Sequence, residues 1–160
     1  YLGFKALINK AKFSNKDKLF FVEKYYKPDL PLNLTKYLLK FANSSIDISD
    51  GLIDDLSKMI NRQTLSFHLF EKKIPVSKKL SNLIKKQRLN KINLISNGDD
   101  YQVLFTADVN KARIIKNTSK TTGIKITKIG KIISGKDRSL ILDEKGKQIQ
   151  AKSKGYIHQF

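Results

Sequence analysis

Apolar residues recur at helical spacing from the first residue: Tyr1, Leu2, Leu7 and Ile8 read as a helix entered partway, so the sequence has the look of a fragment. Ser14 or Asn15 can cap a second helix carrying Leu19, Phe20, Val22 and Tyr26, which Pro28 and Pro31 end by withholding backbone donors. Asn33 or Thr35 starts a third, with Leu34, Tyr37, Leu38 and Phe41 on one face. Residues 45–48 then read as a short strand, and 51–60 as a helix burying Leu52, Ile53, Leu56 and Ile60. Downstream the pattern predicts a strand at 65–70, a helix at 77–88, a strand at 101–106, a helix at 110–122 and a strand at 124–133. That order is βαβαβ. Residues 139–142 and 148–150 flank a turn at 143–146 as a terminal hairpin, and 155–160 form an aromatic tail. No internal repeat, low-complexity tract or linker interrupts the pattern, so residues 1–160 read as a single α/β (α+β) domain.

The length agrees with one domain, and 40% hydrophobic with 29% charged residues describes a globular chain. Zero cysteines exclude a disulfide scaffold, a cysteine zinc site and a thiol nucleophile, leaving oxygen or imidazole for any metal. No apolar run approaches the roughly 20 residues a membrane helix needs, and residues 1–13 lack a signal-peptide pattern, which reads as a cytoplasmic protein without a membrane partner. The formal charge of +18 would suit a polyanion. Its distribution argues otherwise, because Arg62, Arg88, Arg113 and Arg138 are the only arginines and the lysines are scattered. Neither a helix-turn-helix pattern nor an aromatic RNA-binding strand accompanies them, so no specific nucleic acid is expected, and the charge can be coding bias. A non-catalytic basic domain that binds phosphate or nucleic acid is the alternative.

Against that basic background, Asp47, Asp50, Asp54 and Asp55 place four of fourteen acids within nine residues. Asp47 at a strand end and Asp50 at the next turn can share the mouth of a sheet, where Mg²⁺ takes one or two carboxylates plus waters and phosphate oxygens. Ser49 or Asp50 could equally cap the following helix, while Asp54 and Asp55 are read as first-turn acids complementing its dipole. A second polar cluster, Asn97-Gly98-Asp99-Asp100-Tyr101, opens the strand Val103-Leu104-Phe105. His68 and His158 show no ligand spacing, and no Walker A loop, G-x-G-x-x-G or Ser-His-Asp order occurs.

Taken together, these segments resemble the bacterial thiamine-monophosphate kinases. Asn43-Ser44-Ser45-Ile46-Asp47-Ile48-Ser49-Asp50-Gly51-Leu52 is similar to that family's D-[IL]-S-D-G-L segment. The run from Asn97 to Thr106 resembles its G-G-E-D-Y-E-L-L-F-T, and Lys154-Gly155-Tyr156-Ile157-His158-Gln159-Phe160 its closing K-G-[YW]-D-H-F; residues 26–31 and 74–77 match weaker landmarks in order. The resemblance implies the carboxy-terminal domain of a two-domain kinase related to aminoimidazole-ribonucleotide synthetase: three layers, a mixed sheet, partly ferredoxin-like. It implies Mg²⁺ ligation by Asp47 and Asp50, an ATP contact at Ser49, and thiamine-phosphate contacts at Asp99 and Tyr156. The implied reaction moves the γ-phosphoryl group of ATP onto thiamine monophosphate, in a homodimer formed through the amino-terminal domain. Asp99 is one methylene shorter than the family's Glu, and Asn97 replaces its first Gly. The first helix, with Leu2, Phe4 and Leu7, is expected to expose an apolar surface where that other domain docks.

Overall fold

A computed structural model describes residues 1–60 and 63–151 of the chain. Three helices open it: α1 (Leu2–Leu7), α2 (Asn15–Tyr26) and α3 (Leu32–Leu38). Ser14 caps α2, its hydroxyl accepting the Asp17 amide at 3.2 Å. The buried face of α2 differs from the expected one: Leu19 is 72% exposed and Tyr26 67%, whereas Phe21 is buried. Gly3 is the cause. It lets α1 lie so close on α2 that a β-carbon there would collide with the Phe21 carbonyl and Tyr25, which turns the Phe21–Tyr25 side inward. Phe4 and Leu7 are exposed on α1, as expected, while Leu2 is half-buried. Pro31, not Asn33 or Thr35, stands at the N-cap of α3, and the Thr35 hydroxyl instead donates to the Leu32 carbonyl at 2.8 Å.

The remainder is mixed α/β, as the sequence predicts, but the strands divide into two sheets. β1 (Ser44–Asp47) pairs antiparallel with β3 (Val103–Thr106) as an isolated ribbon. β2 (Leu65–Phe70) is the centre of a three-stranded mixed sheet, antiparallel to β4 (Gly130–Ser134) and parallel to β5 (Leu140–Leu142). The ribbon strands, four residues each, pair along their whole length, and a short loop takes the chain from β1 into α4 (Leu52–Ile60). The sheets therefore meet through side chains. Leu52, Ile53, Leu56 and Ile60 of α4 share one core with Leu104 of the ribbon and with Phe67, Leu69 and Ile141 of the mixed sheet.

Some elements depart from the predicted bounds, among them the strand expected at 101–106, which begins at Val103, and one helix was not predicted. The strand expected at 124–133 forms only at Gly130–Ser134, because Ser119 pulls the preceding chain back. Its hydroxyl donates to the Ile124 carbonyl at 2.7 Å and accepts the Ile126 amide at 3.4 Å. The helix expected at 110–122 splits into a 3₁₀ turn, Val109–Lys111, and a longer helix, Ala112–Thr122. Between α5 (Lys78–Gln87) and β3 lies an unforeseen helix, α6 (Lys91–Ile95), too short for periodicity to reveal, capped by Asn90 and contributing Ile92 and Ile95 to the core. The terminal hairpin is present: Ile149 donates to the Ile141 carbonyl at 2.8 Å across the turn held by Asp143.

Candidate functional site

The two polar clusters singled out in the sequence lie against each other. In the ribbon register Ser44 faces Thr106 and Asp47 faces Val103, and the pairing continues past the strand ends. The Ile48 amide donates to the Gln102 carbonyl at 2.9 Å, the Tyr101 amide to the Ile48 carbonyl at 2.8 Å and the Asp99 amide to the Ser49 carbonyl at 3.0 Å. The loop after β1 and the loop before β3 are thus zipped into one surface. Two glycines permit the approach. A β-carbon on Gly98 would overlap the Ser49 carbonyl, and one on Gly51, whose φ is +128°, would sit 2.5 Å from the Ser96 carbonyl oxygen. Asp99 and Tyr101 take positive φ, 68° and 50°, a conformation that costs a non-glycine residue roughly 1–3 kcal/mol and persists where surrounding contacts enforce it.

On this surface Asp47 is exposed at the end of β1, and Ser49, Asp50 and Asp99 are half-buried. Tyr156 lies outside the described residues. Asp55 behaves differently from its expected part as a dipole complement. It is 2% exposed, and its Oδ2 accepts three successive amides, those of Ser49, Asp50 and Gly51, each at 3.0 Å. Lys58, one helical turn on, places Nζ 2.5 Å from Asp50 Oδ2, 2.7 Å from Asp54 Oδ2 and 3.5 Å from Asp55 Oδ1. Hydrogen bonds donated to Asp50 first and to Asp54 second hold that ammonium well above the ordinary lysine range. Spacing carried the signal for both residues: Asp55 follows the Gly51 turn by four positions, and Lys58 follows Asp54 by four.

The oxygens that gather within 4.8 Å of one another belong to Asp50, Asp54 and Asp55, a hard-donor set of the kind Mg²⁺ takes. Asp47 is not in that group, and Asp54, read from the sequence as a dipole complement, is. The local charge is acidic rather than basic, Lys58 being the cation placed among the carboxylates. His68 is remote from it, in β2 opposite Lys131.

Beside Asp99, the Asp100 carboxyl is raised from 3.8 to about 6. Lost hydration around the carboxyl is the main cause, the Tyr1 ammonium opposes it and the Asp99 charge adds to it, while the residue as a whole is exposed. A carboxyl raised in the folded state holds its proton where the unfolded chain has released it, so this group makes stability fall as pH rises from about 3.8 to about 6. Asp100→Asn is expected to flatten that part of the stability profile, measured by urea melts between pH 4 and pH 7; an unchanged slope would contradict the assignment.

No family profile matches the chain. The thiamine-monophosphate kinase of Buchnera aphidicola subsp. Schizaphis graminum is 31% identical over 156 residues, 96% of this chain and 47% of that protein. That of Aquifex aeolicus is 30% identical over 105 residues, 65% of this chain and 34% of that protein. Among solved structures, thiamine monophosphate kinase from Aquifex aeolicus superposes with a TM-score of 0.69 at 25% identity, over 92% of this chain and 46% of that one. The structure described as AaThiL complexed with AMPPCP and TMP shares the fold at a TM-score of 0.71 and 24% identity, over 97% and 47% of the two chains. The chain spans about half the length of the curated relatives it matches along most of its own.

Proposed function

Since the chain belongs to the thiamine-monophosphate kinase family, we propose that it is the carboxy-terminal domain of an enzyme that phosphorylates thiamine monophosphate to thiamine diphosphate with ATP. The observation that supports this reading is the zipping of the loop around Ser49 onto the loop around Asp99, since these are the segments to which the resemblance assigns an ATP contact and a thiamine-phosphate contact. Asp47 and Asp50 would hold Mg²⁺, Ser49 would contact ATP, and Asp99 with Tyr156 would contact the thiamine phosphate.

The accepting phosphate oxygen is already anionic, so the reaction calls for no strong protein base. What it must supply is position and charge balance. Mg²⁺, when bound, neutralises the crowded phosphate oxygens. The zipped loops would fix the distance between the two ends of the transfer, and Lys58 offsets the mutual repulsion of Asp50 and Asp54, holding the two carboxylates close. The other half of the enzyme contributes the further metal ligands and the homodimer contact. No helix among the described residues is long and apolar enough to cross a membrane, in keeping with a cytoplasmic enzyme.

The test is product formation. With ATP, Mg²⁺ and thiamine monophosphate, the full-length protein is expected to yield thiamine diphosphate and ADP, and these 160 residues alone to yield neither. A full-length protein that leaves thiamine monophosphate unchanged overturns the reading; turnover by this chain alone would show that the site is complete within it.

A further inference from the structure

We propose that Asp55 is a positioning residue that folds the Asp47–Gly51 loop around its own carboxylate, so that the loop meets a polyphosphate with side chains and bound cation rather than with backbone amides. The inference rests on the kinase reading for its function and on geometry for its structure. A carboxylate 2% exposed is costly to bury unless its charge is met. Here the Ser49, Asp50 and Gly51 amides all converge on Oδ2 at 3.0 Å, and Lys58 stands 3.5 Å from Oδ1. Successive amides converging on one anion form a nest, the arrangement that elsewhere cradles a phosphate. In this chain the nest is already filled.

An ordinary cap does not explain the contact. The Asp55 amide bonds the Gly51 carbonyl at 3.0 Å, so the unpaired donors of α4 run from Gly51 to Asp54, and two of the three amides that Asp55 takes, those of Ser49 and Asp50, lie ahead of them. With those donors turned inward, the loop presents the Ser49 hydroxyl and the Asp50 carboxylate to a ligand. Asp50 is fixed twice, through its amide to Asp55 and through its carboxylate to Lys58, which also touches Asp55. Asp55 thus belongs to the gathered carboxylates in distance but has one oxygen saturated by the chain.

The experiment uses the full-length protein and Asp55→Asn, which keeps the shape and removes the charge that strengthens the three bonds. Amide hydrogen exchange at residues 49–51 is expected to accelerate about tenfold or more relative to that of α4. KM for MgATP is expected to rise about tenfold, in the range seen when supporting partners of a metal site are removed, with KM for thiamine monophosphate unchanged. A purely structural role would lower the melting temperature without that split between substrates. Exchange at 49–51 as slow as in the wild type, or an unchanged KM for MgATP, overturns the proposal. Should the Asn variant not fold, Asp55→Glu, which displaces the charge by a methylene, carries the same expectations and the same refuting outcomes. If the wild-type protein makes no thiamine diphosphate, the kinase reading fails, while the exchange measurement still decides whether Asp55 holds the loop.

Discussion

Asp47→Asn in the full-length protein is expected to lower turnover on the order of 10²-fold or more, with the thermal melt unmoved. The separation follows from where the residue sits. Asp47 is exposed at the end of β1, and its place in the ribbon is set by backbone pairing with Val103, which an Asn preserves. What Asn removes is a charged oxygen at the strand mouth. Loss of a metal ligand costs several kcal/mol of transition-state stabilisation, whereas an exposed Asp-to-Asn change away from such a role stays within about 0.5 kcal/mol. Steady-state rates at saturating Mg²⁺ together with a calorimetric melt make the measurement. Near-normal turnover would remove Asp47 from the metal site and leave Asp50 as the proposed ligand on this domain. Asp50 is the less clean target, since it is tied to Lys58 and any change there also releases an ammonium beside Asp54 and Asp55.

Gly98→Ala is expected to damage fold and site together. The added methyl would overlap the Ser49 carbonyl and reach 3.0 Å from Asp50 Cα, both backbone atoms that cannot swing aside as a side chain would. Relief requires parting the two loops, which breaks the Asp99-to-Ser49 and Tyr101-to-Ile48 bonds. Those bonds hold two non-glycine residues in left-handed conformations, so the strain at Asp99 and Tyr101 loses its constraint as they go. A cost of about 3 kcal/mol is expected, at the upper end for overpacking, with activity lost even at temperatures where the variant is folded. Gly123→Ala is the control: φ is +69° and nothing lies within 4 Å of the added carbon, so only the backbone penalty of about 1 kcal/mol applies. Denaturant melts of the two variants compare them directly. Equal losses would mean that the loops are not packed as tightly as the Gly98 contact requires.

Most of the element order was legible because long amphipathic segments such as α4 and α5 carry their burial in their spacing. The errors share a physical origin. Periodicity ranks faces by hydrophobicity but does not report which face a neighbour occupies, and on α2 the deciding residue was Gly3, in another helix. The shortened strand before β4 was decided by one hydroxyl, that of Ser119, and α6 by a five-residue run that no window resolves. At the site, residue types and their neighbourhood could be read, and the chain does bring Ser49 and Asp99 into adjoining loops. What could not be read was the division of labour among adjacent carboxylates. Asp54 and Asp55 are neighbours of identical type in one helical turn, yet Asp54 faces Lys58 at 2.7 Å while Asp55 is enclosed by backbone amides. Adjacent helical positions point about 100° apart, and the direction of the preceding loop decides which of the two it encloses.

The ribbon also carries a kinetic consequence. Ser44 and Thr106 are 62 residues apart, joined by hydroxyls at 2.7 Å, so the pairing that brings the two motifs together closes a long loop. Chain entropy must be spent on that closure before any ribbon bond repays it, whereas helices such as α2 and α5 form from contacts within a single turn of chain. The ribbon holds its register with four residue pairs and the bonds that continue past its end, and a slip of one would exchange the faces of Ile46 and Asp47. The chemical surface is therefore a product of a non-local step of chain assembly, and a nascent chain has no such surface until Thr106 has emerged.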